Sequence, residues 1–160
     1  MASVNEEQEK QITLWDPQGK IKVACDGVVI YDGRYILMIK RSSKSTAYPG
    51  QWALPGGGFE DEDESLESCV IREVKEETGI RVWVNRFLFH MDKKDRDPRF
   101  RAITCVWLCN TVQAGPERLK AGDDADEVKW IKLKEVLKLD LAFDHWDIIY
   151  RVIESGDYKD

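Results

Sequence analysis

The stretch that decides the fold of this chain is Gly58–Ile80, GFEDEDESLESCVIREVKEETGI. Its apolar residues recur at helical spacing, which predicts a helix from Glu64 or Ser65 to Thr78. Gly79 is expected to end that helix, because glycine adopts the left-handed conformation readily. The apolar stripe of this helix consists of Leu66, Cys69, Val70 and Val74. We therefore expect the helix to pack this stripe onto a core.

Three acids of the same helix lie on or beside the apolar stripe. At about 100° per residue, Glu73 and Glu77 project into its middle, with Glu76 on its flank. Ionised carboxylates in such a place cost several kcal/mol in desolvation and mutual repulsion unless a cation compensates them. A divalent ion such as Mg²⁺ suits this role, since it takes oxygen ligands from carboxylates and substrate phosphates.

The spacing Gly58-x5-Glu64-x7-Arg72-Glu73-Val74-x-Glu76-Glu77-x-Gly79-Ile80 resembles the Nudix box at all nine of its fixed positions. The segment before it, from Trp52 to Gly57, is similar to the family's approach to that box. The resemblance implies an α/β fold, the Nudix-type α/β/α sandwich with a mixed β-sheet. We expect a single Nudix hydrolase domain over residues 1–160, with residues 1–11 frayed.

The resemblance also implies roles for the residues of the box. Glu73, Glu76 and Glu77, together with the Gly57 carbonyl, would bind catalytic Mg²⁺ or Mn²⁺. Arg72 would form an ion pair with Glu73, and Glu64 would assist the loop or the metal shell. The implied reaction is attack of water on a phosphoanhydride, with the metal generating the nucleophile and neutralising phosphate charge. The alternative is that the acids merely form a solvated helix face.

Composition narrows the class of protein. The 160 residues are 42% hydrophobic, which is too much for a disordered chain, and the net charge of −6 argues against a nucleic-acid backbone or an anionic membrane as partner. No apolar run approaches the roughly 20 residues of a membrane span, and the first dozen residues do not resemble a signal peptide. We expect a cytoplasmic protein. Four cysteines without a CxxC pair are expected to be reduced core residues: Cys25, Cys69, Cys105 and Cys109.

The rest of the chain alternates strand-like runs with turn signals. Asp32-Gly33 predicts a hairpin, and residues 41–58 are predicted to form a long loop, a feature that is usually functional. Strands are expected at Ile12–Trp15, Ile21–Tyr31, Tyr35–Ile39, Ile80–Phe89, Ala102–Thr111 and Val128–Leu133. Helices are expected at Leu133–Lys138 and Phe143–Ser155, the latter with Trp146 among its core-facing residues.

Two further segments suggest the substrate. Lys94–Arg99 and Leu141–His145 are similar to segments of the ADP-ribose pyrophosphatase-like Nudix branch. Arg96 and Arg99 carry forked donors suited to phosphate oxygens, and Arg41 is a similar candidate. Surface solubility would explain the same arginines. His145 is expected to be an ordinary residue at the start of a helix.

Other candidates lie outside the box. The acid Glu127, in an acidic loop, matches the place from which many Nudix enzymes take a general base or an additional metal ligand. Trp15 is a candidate for stacking on a nucleobase, from an N-terminal strand that could reach a partner subunit's site.

The sequence thus predicts metal-dependent hydrolysis of a nucleoside diphosphate linked to another moiety, with ADP-ribose giving AMP and ribose 5-phosphate as the first expectation. The alternatives are a nucleoside triphosphate pyrophosphohydrolase and a non-catalytic nucleotide-sugar sensor domain. The expected partners are a nucleotide-derived small molecule and, by resemblance, a second copy in a homodimer, with neither nucleic acid nor membrane.

Overall fold

A computed structural model describes residues 21–111 and 118–159. Its elements run in the order β1 (Ile21–Tyr31), β2 (Tyr35–Arg41), β3 (Trp52–Ala53), β4 (Gly56–Gly58), α1 (Leu66–Thr78), β5 (Trp83–Met91), β6 (Arg101–Asn110), β7 (Ala125–Lys132), α2 (Leu133–Val136) and α3 (His145–Ser155). The predicted strand Ile12–Trp15, the frayed residues 1–11 and Trp15 lie outside the described residues.

The strands form one mixed sheet around β1. The sheet order is β3-β2-β1-β6-β5, with β4 paired to β1 and β7 paired to β2. Strands β1 and β6 run parallel, whereas the other pairings are antiparallel. The hairpin between β1 and β2 turns at Asp32 and Gly33, whose φ angles are 53° and 59°. Left-handed residues at both centres match the twist of the two strands, as the Asp-Gly pair predicts.

Alternate residues of the central strands face two different cores. Val28 packs in the core that contains α3, whereas its neighbour Val29 packs in the core that contains α1. The same alternation separates Met38 from Leu37 and Leu108 from Cys109. A period of two with both faces buried requires a cover on each side of the sheet. The chain is therefore an α/β/α sandwich with a mixed sheet, as predicted.

Helix α1 has well-formed ends. The Ser65 hydroxyl accepts a hydrogen bond from the Ser68 amide, and the Ser68 hydroxyl accepts one from the Ser65 amide. At the other end Gly79 has a φ of 76°. Ile80 and Val82 come next but pack in the core under α1, so β5 begins only at Trp83 instead of at the predicted Ile80. The predicted bounds of the helix are therefore accurate to within one turn, whereas the predicted start of the next strand lies too early in the chain.

Three other sequence predictions differ from the structure. The predicted loop 41–58 contains the short strands β3 and β4, which pair with β2 and β1. Helix α3 begins at His145, because Phe143 has a φ of 53° and cannot belong to a right-handed helix. Trp146 is 43% exposed and stacks on Tyr150, so its predicted place in the core is wrong. All four cysteines are free, as expected.

No helix of the described residues is long and apolar enough to cross a membrane.

We expect Ile148→Ala to lower the free energy of unfolding by about 2–5 kcal/mol, because Ile148 is fully buried in the α3 core and its loss leaves a cavity. Tyr150→Leu, an exposed position of the same helix, should change it by less than about 0.5 kcal/mol. Urea denaturation of both variants measures the difference. Equal loss in the two would contradict the assignment of this core.

Candidate active site

Arg72 links the acids of the loop and of helix α1. Its Nη1 donates to Glu73 Oε1 at 2.8 Å and to Glu76 Oε2 at 3.2 Å. Its Nε and Nη2 both donate to Asp63 at 2.8 Å, and Nη2 also donates to the Gly58 carbonyl at 3.0 Å. These bonds hold the pKa of Asp63 well below its usual range and raise the pKa of Arg72. One guanidinium therefore fixes the glycine loop to the helix.

The sequence analysis missed Asp63. Glu64, which the box marks as its conserved acid, is exposed, and the acid that Arg72 holds is the residue before it. Within a run of five consecutive acids, Glu60 to Glu64, spacing alone could not single out this residue.

Glu73 and Glu77 are held against glycine backbone. A Cβ at Gly57 would lie 2.5 Å from the Glu73 carboxylate, so a larger residue there would displace it. Glu77 Oε2 accepts a hydrogen bond from the Gly56 amide at 3.0 Å. Burial raises the pKa of Glu73 and raises that of Glu77 well above its ordinary value. The charge of Glu76 adds to the rise in the pKa of Glu73, and the charge of Glu73 adds to the rise in the pKa of Glu77. Such a pair is stabilised by a nearby cation.

The donor chemistry of this cluster fits a hard divalent cation, because Glu73, Glu76, Glu77 and the Gly57 carbonyl all present oxygen. In the described part of the chain, no three His, Cys, Asp or Glu side chains are grouped so that they could hold one ion. Arg72 bridges Glu73 and Glu76 instead, and Glu76 is exposed on the flank of the helix. Arg72 thus lies between Glu73 and Glu76, and the assignment of these acids as metal ligands stays a prediction.

A cavity of about 470 Å³ opens beside this cluster. It reaches from Gly56, Gly57 and Glu77 to the loop that carries Arg99. Its volume lies in the range of small-molecule sites in proteins, about 300–1,000 Å³. Both carboxylates, among them Glu77, and arginines, among them Arg41 and Arg99, line the cavity.

One wall of the cavity is a buried polar network that the sequence analysis also missed. Asp26 Oδ2 accepts a hydrogen bond from Thr104 at 2.8 Å and lies 3.5 Å from His145 Nε2 and 3.9 Å from Arg96 Nη2. Burial alone would raise the pKa of Asp26, but these three contacts outweigh it and lower the pKa. The signal was present in the sequence, since an acid inside the apolar strand β1 needs a partner.

His145 ties this network to the loop before β4. Its Nδ1 accepts a hydrogen bond from the Leu54 amide at 3.0 Å, so Nδ1 carries no proton. A neutral ring then carries its proton on Nε2, which faces Asp26. His145 is 3% exposed, which fits a structural role at the start of a helix.

The predicted arginines occupy different environments. Arg96 is buried and forms a two-bond ion pair with Asp144, at 2.8 and 3.0 Å, so two of its five N–H donors already have acceptors. Arg99 donates from Nε and Nη2 to Asp97 and remains partly exposed at the cavity. Arg41 donates from Nε to the Ala47 carbonyl, and burial, followed by the charge of Arg99, lowers its pKa.

Glu127 lies within β7, opposite Lys40, rather than in the loop before the strand. Its carboxylate is 3.7 Å from Lys129. A second, acidic cleft of about 460 Å³ brings Asp123 and Asp124 next to Glu73, Glu76 and Glu77. Glu127 lines neither this cleft nor the cavity described above. The segment before it caps the helix, since the Lys120 and Gly122 amides donate to the Thr78 and Glu77 carbonyls.

Comparison with known proteins gives consistent results. A family model described as the NUDIX domain matches residues 22–152. The ADP-ribose pyrophosphatase of Methanocaldococcus jannaschii is 44% identical over 127 residues, which cover 79% of this chain and 70% of that protein.

Two solved structures are similar over almost the whole chain. A bifunctional NMN adenylyltransferase/ADP ribose pyrophosphatase of Francisella tularensis, complexed with AMP and a manganese ion, has a TM-score of 0.71 at 32% identity and covers 93% of this chain and 46% of its own. The NUDIX domain of Shewanella oneidensis NrtR, complexed with ADP ribose, has a TM-score of 0.68 at 27% identity and covers 91% of this chain and 97% of its own.

We expect Asp144→Ala to destabilise the protein by about 3–5 kcal/mol, because it leaves the buried charge of Arg96 without its partner. The double variant Arg96→Met/Asp144→Leu should lose clearly less, because it removes both charges of the pair and leaves Asp26 its contacts with Thr104 and His145. Thermal and urea unfolding compare the two. If the double variant were as unstable as the single one, the ion pair would not be the source of the loss.

Proposed function

The chain belongs to the NUDIX domain family and is a Nudix hydrolase, and we propose that it cleaves ADP-ribose to AMP and ribose 5-phosphate with the help of Mg²⁺ or Mn²⁺. The single observation that carries the proposal is that Glu77, which lies beside Glu73 and accepts a hydrogen bond from the Gly56 amide, lines the same cavity as Arg41 and Arg99. A ligand with phosphates in its middle suits such a cavity.

In this proposal Glu73, Glu76, Glu77 and the Gly57 carbonyl hold the divalent ion. When bound, that ion supplies a Lewis acid for phosphate oxygens and lowers the pKa of water. Arg72 orients Glu73 and Glu76 through the hydrogen bonds it already makes, and Asp63 anchors Arg72 in turn. The function of the chain's own residues is thus to hold oxygen ligands in fixed positions before the substrate arrives.

In the same proposal, the arginines of the cavity bind the substrate. Arg99 and Arg41 donate to phosphate oxygens, whereas Arg96 acts from below by holding Asp144 and, more distantly, Asp26. Glu127 as general base and Trp15 as a stacking platform for the nucleobase remain proposals. A homodimer also remains a proposal, as does a cytoplasmic location, with which four free cysteines are compatible.

The choice of ADP-ribose is supported by the relatives, two of which are described as ADP-ribose pyrophosphatases. A sensor is the main alternative, because the similar NUDIX domain of NrtR was solved with ADP ribose. The full set of box acids favours hydrolysis, since a domain that only binds its ligand has no need of them all.

A hydrolysis screen with Mg²⁺ and with Mn²⁺ tests the substrate. We expect ADP-ribose to give AMP and ribose 5-phosphate faster than ADP-glucose, GDP-mannose, NADH, diadenosine polyphosphates or nucleoside triphosphates, with products separated by chromatography. Pyrophosphate release from a triphosphate would instead make the chain a nucleotide pyrophosphohydrolase. Binding of ADP-ribose without turnover of any substrate would make it a sensor.

Glu76→Gln should lower kcat/KM by about 10²–10³-fold, because it removes a charged oxygen ligand while keeping the shape of the side chain. Glu67→Gln, an exposed acid of the same helix, is the matched control and should leave kcat/KM within about twofold. Steady-state kinetics on folded protein measure both. Near-full activity of Glu76→Gln would refute its assignment as a metal ligand.

A further inference from the structure

Two aromatic residues beside the cavity have backbone conformations that aromatic residues rarely adopt. Tyr48 has a φ of 49° and Phe143 a φ of 53°. Bulky side chains in this left-handed region are strained, and they persist only where the surroundings hold them. The two rings contact each other, with centroids 4.7 Å apart. The two residues with strained backbones are therefore in contact through their side chains.

The backbone around both residues is fixed by hydrogen bonds. The Gln51 amide donates to the Tyr48 carbonyl, and the Gly50 amide donates to the Arg41 carbonyl. On the other side, the Ala142 amide donates to the Trp52 carbonyl at 2.8 Å. The loop after β2 and the segment before α3 are thus both held to the β3 region, and they meet where Tyr48 and Phe143 touch.

Phe143 is also the ring on which two guanidinium groups converge. The Arg41 guanidinium carbon lies 5.0 Å from the centre of the Phe143 ring, and that of Arg99 lies 6.0 Å from it. Both distances fall within the reach of a cation–π contact. Burial lowers the pKa of Arg41, and the charge of Arg99 lowers it further, as expected for two like charges held near each other. The Phe143 ring thus lies between two groups that repel each other, and Arg99 is also held by the Phe100 ring, 4.8 Å away, and by Asp97.

The two arginines have donors to spare. Arg41 uses Nε on the Ala47 carbonyl, and within residues 21–111 and 118–159 no acceptor bonds its two terminal nitrogens. Arg99 uses Nε and Nη2 on Asp97, which leaves Nη1 without an acceptor in the same described part of the chain. Arg41, Arg99 and Phe143 all line the cavity. Two cations with three terminal nitrogens that bond no acceptor in the described residues constitute a site for an anion at the cavity wall.

We propose that Phe143, supported by Tyr48, is a positioning residue that holds Arg41 and Arg99 together as one clamp for a substrate phosphate. The proposal rests on the proposed function for the identity of that substrate, a nucleoside diphosphate joined to a second group. The phosphate relieves the repulsion between the two guanidinium groups, and the ring keeps them in place before it binds. Phe143 does not contact the reacting atoms, and its contribution is to binding.

The experiment compares Phe143→Leu with Phe143→Tyr. Leucine keeps an apolar side chain but removes the ring, whereas tyrosine keeps the ring. Binding of ribose 5-phosphate and of AMP without metal, by calorimetry, is measured beside KM and kcat for ADP-ribose with Mg²⁺. We expect Phe143→Leu to weaken phosphate binding and to raise KM by about tenfold, with kcat within about twofold. Phe143→Tyr should restore both, and the remote variant Tyr150→Leu should match the wild type.

Several outcomes would overturn the proposal. Wild-type binding in Phe143→Leu would show that the ring does not organise the clamp. A loss of kcat with unchanged KM, or a loss that tyrosine does not restore, would show a merely structural role. If Phe143→Leu does not fold, Tyr48→Leu removes the support behind the ring and should show the same loss of phosphate binding, whereas wild-type binding in it would overturn the proposal.

Failure of the proposed function gives a different result. In that case the wild type does not hydrolyse ADP-ribose, yet it binds the phosphate monoesters and Phe143→Leu weakens that binding. Such a result supports the clamp and refutes the substrate. Absence of phosphate binding by the wild type refutes the clamp even if ADP-ribose is hydrolysed.

Discussion

The site depends on the hydrogen bonds that Arg72 makes to three carboxylates and one carbonyl. Residues 60–77 contain nine acids, and several of them lie beside an apolar helix face, where unpaired charge is costly. By bonding to Asp63, Glu73 and Glu76 together, Arg72 offsets part of that repulsion and fixes the Gly58 loop to the helix. Loop, helix and acids therefore form one unit, which the two cores of the sandwich hold against the sheet.

Much of this unit could be predicted from the sequence, because its determinants are local. The helix, its end at Gly79 and the approach of Glu73 and Glu77 to the core all follow from spacing within one segment. The Asp-Gly hairpin is local in the same sense. The start of β5 and the start of α3 were misplaced, because Ile80 packs in a core contributed by distant strands and Phe143, which contacts the distant residues Arg41 and Tyr48, has a left-handed conformation.

The rest of the site could not be predicted, because its determinants are not local in the sequence. The network of Asp26, Thr104, Arg96, His145 and Asp144 joins residues from four parts of the chain, and their meeting depends on the parallel pairing of β1 with β6. No periodicity in a single sequence encodes such a meeting. It is nevertheless constrained by chemistry, because a buried acid must find donors, and this requirement explains why Arg96 faces Asp144 and not only the cavity.

The parallel pairing of β1 with β6 also has a consequence for the order in which the protein folds. Ile21 pairs with Arg101, and the entire glycine loop and helix α1 lie in the chain between them. Closing so long a loop is slow compared with forming a helix or a hairpin. During synthesis, α1 and its acids can therefore form while β6 is still in the ribosome. The cavity is completed only when the second half of the chain has docked, so the acidic helix spends a period of its folding without Arg96 and Arg99, which lie just before β6 in the chain.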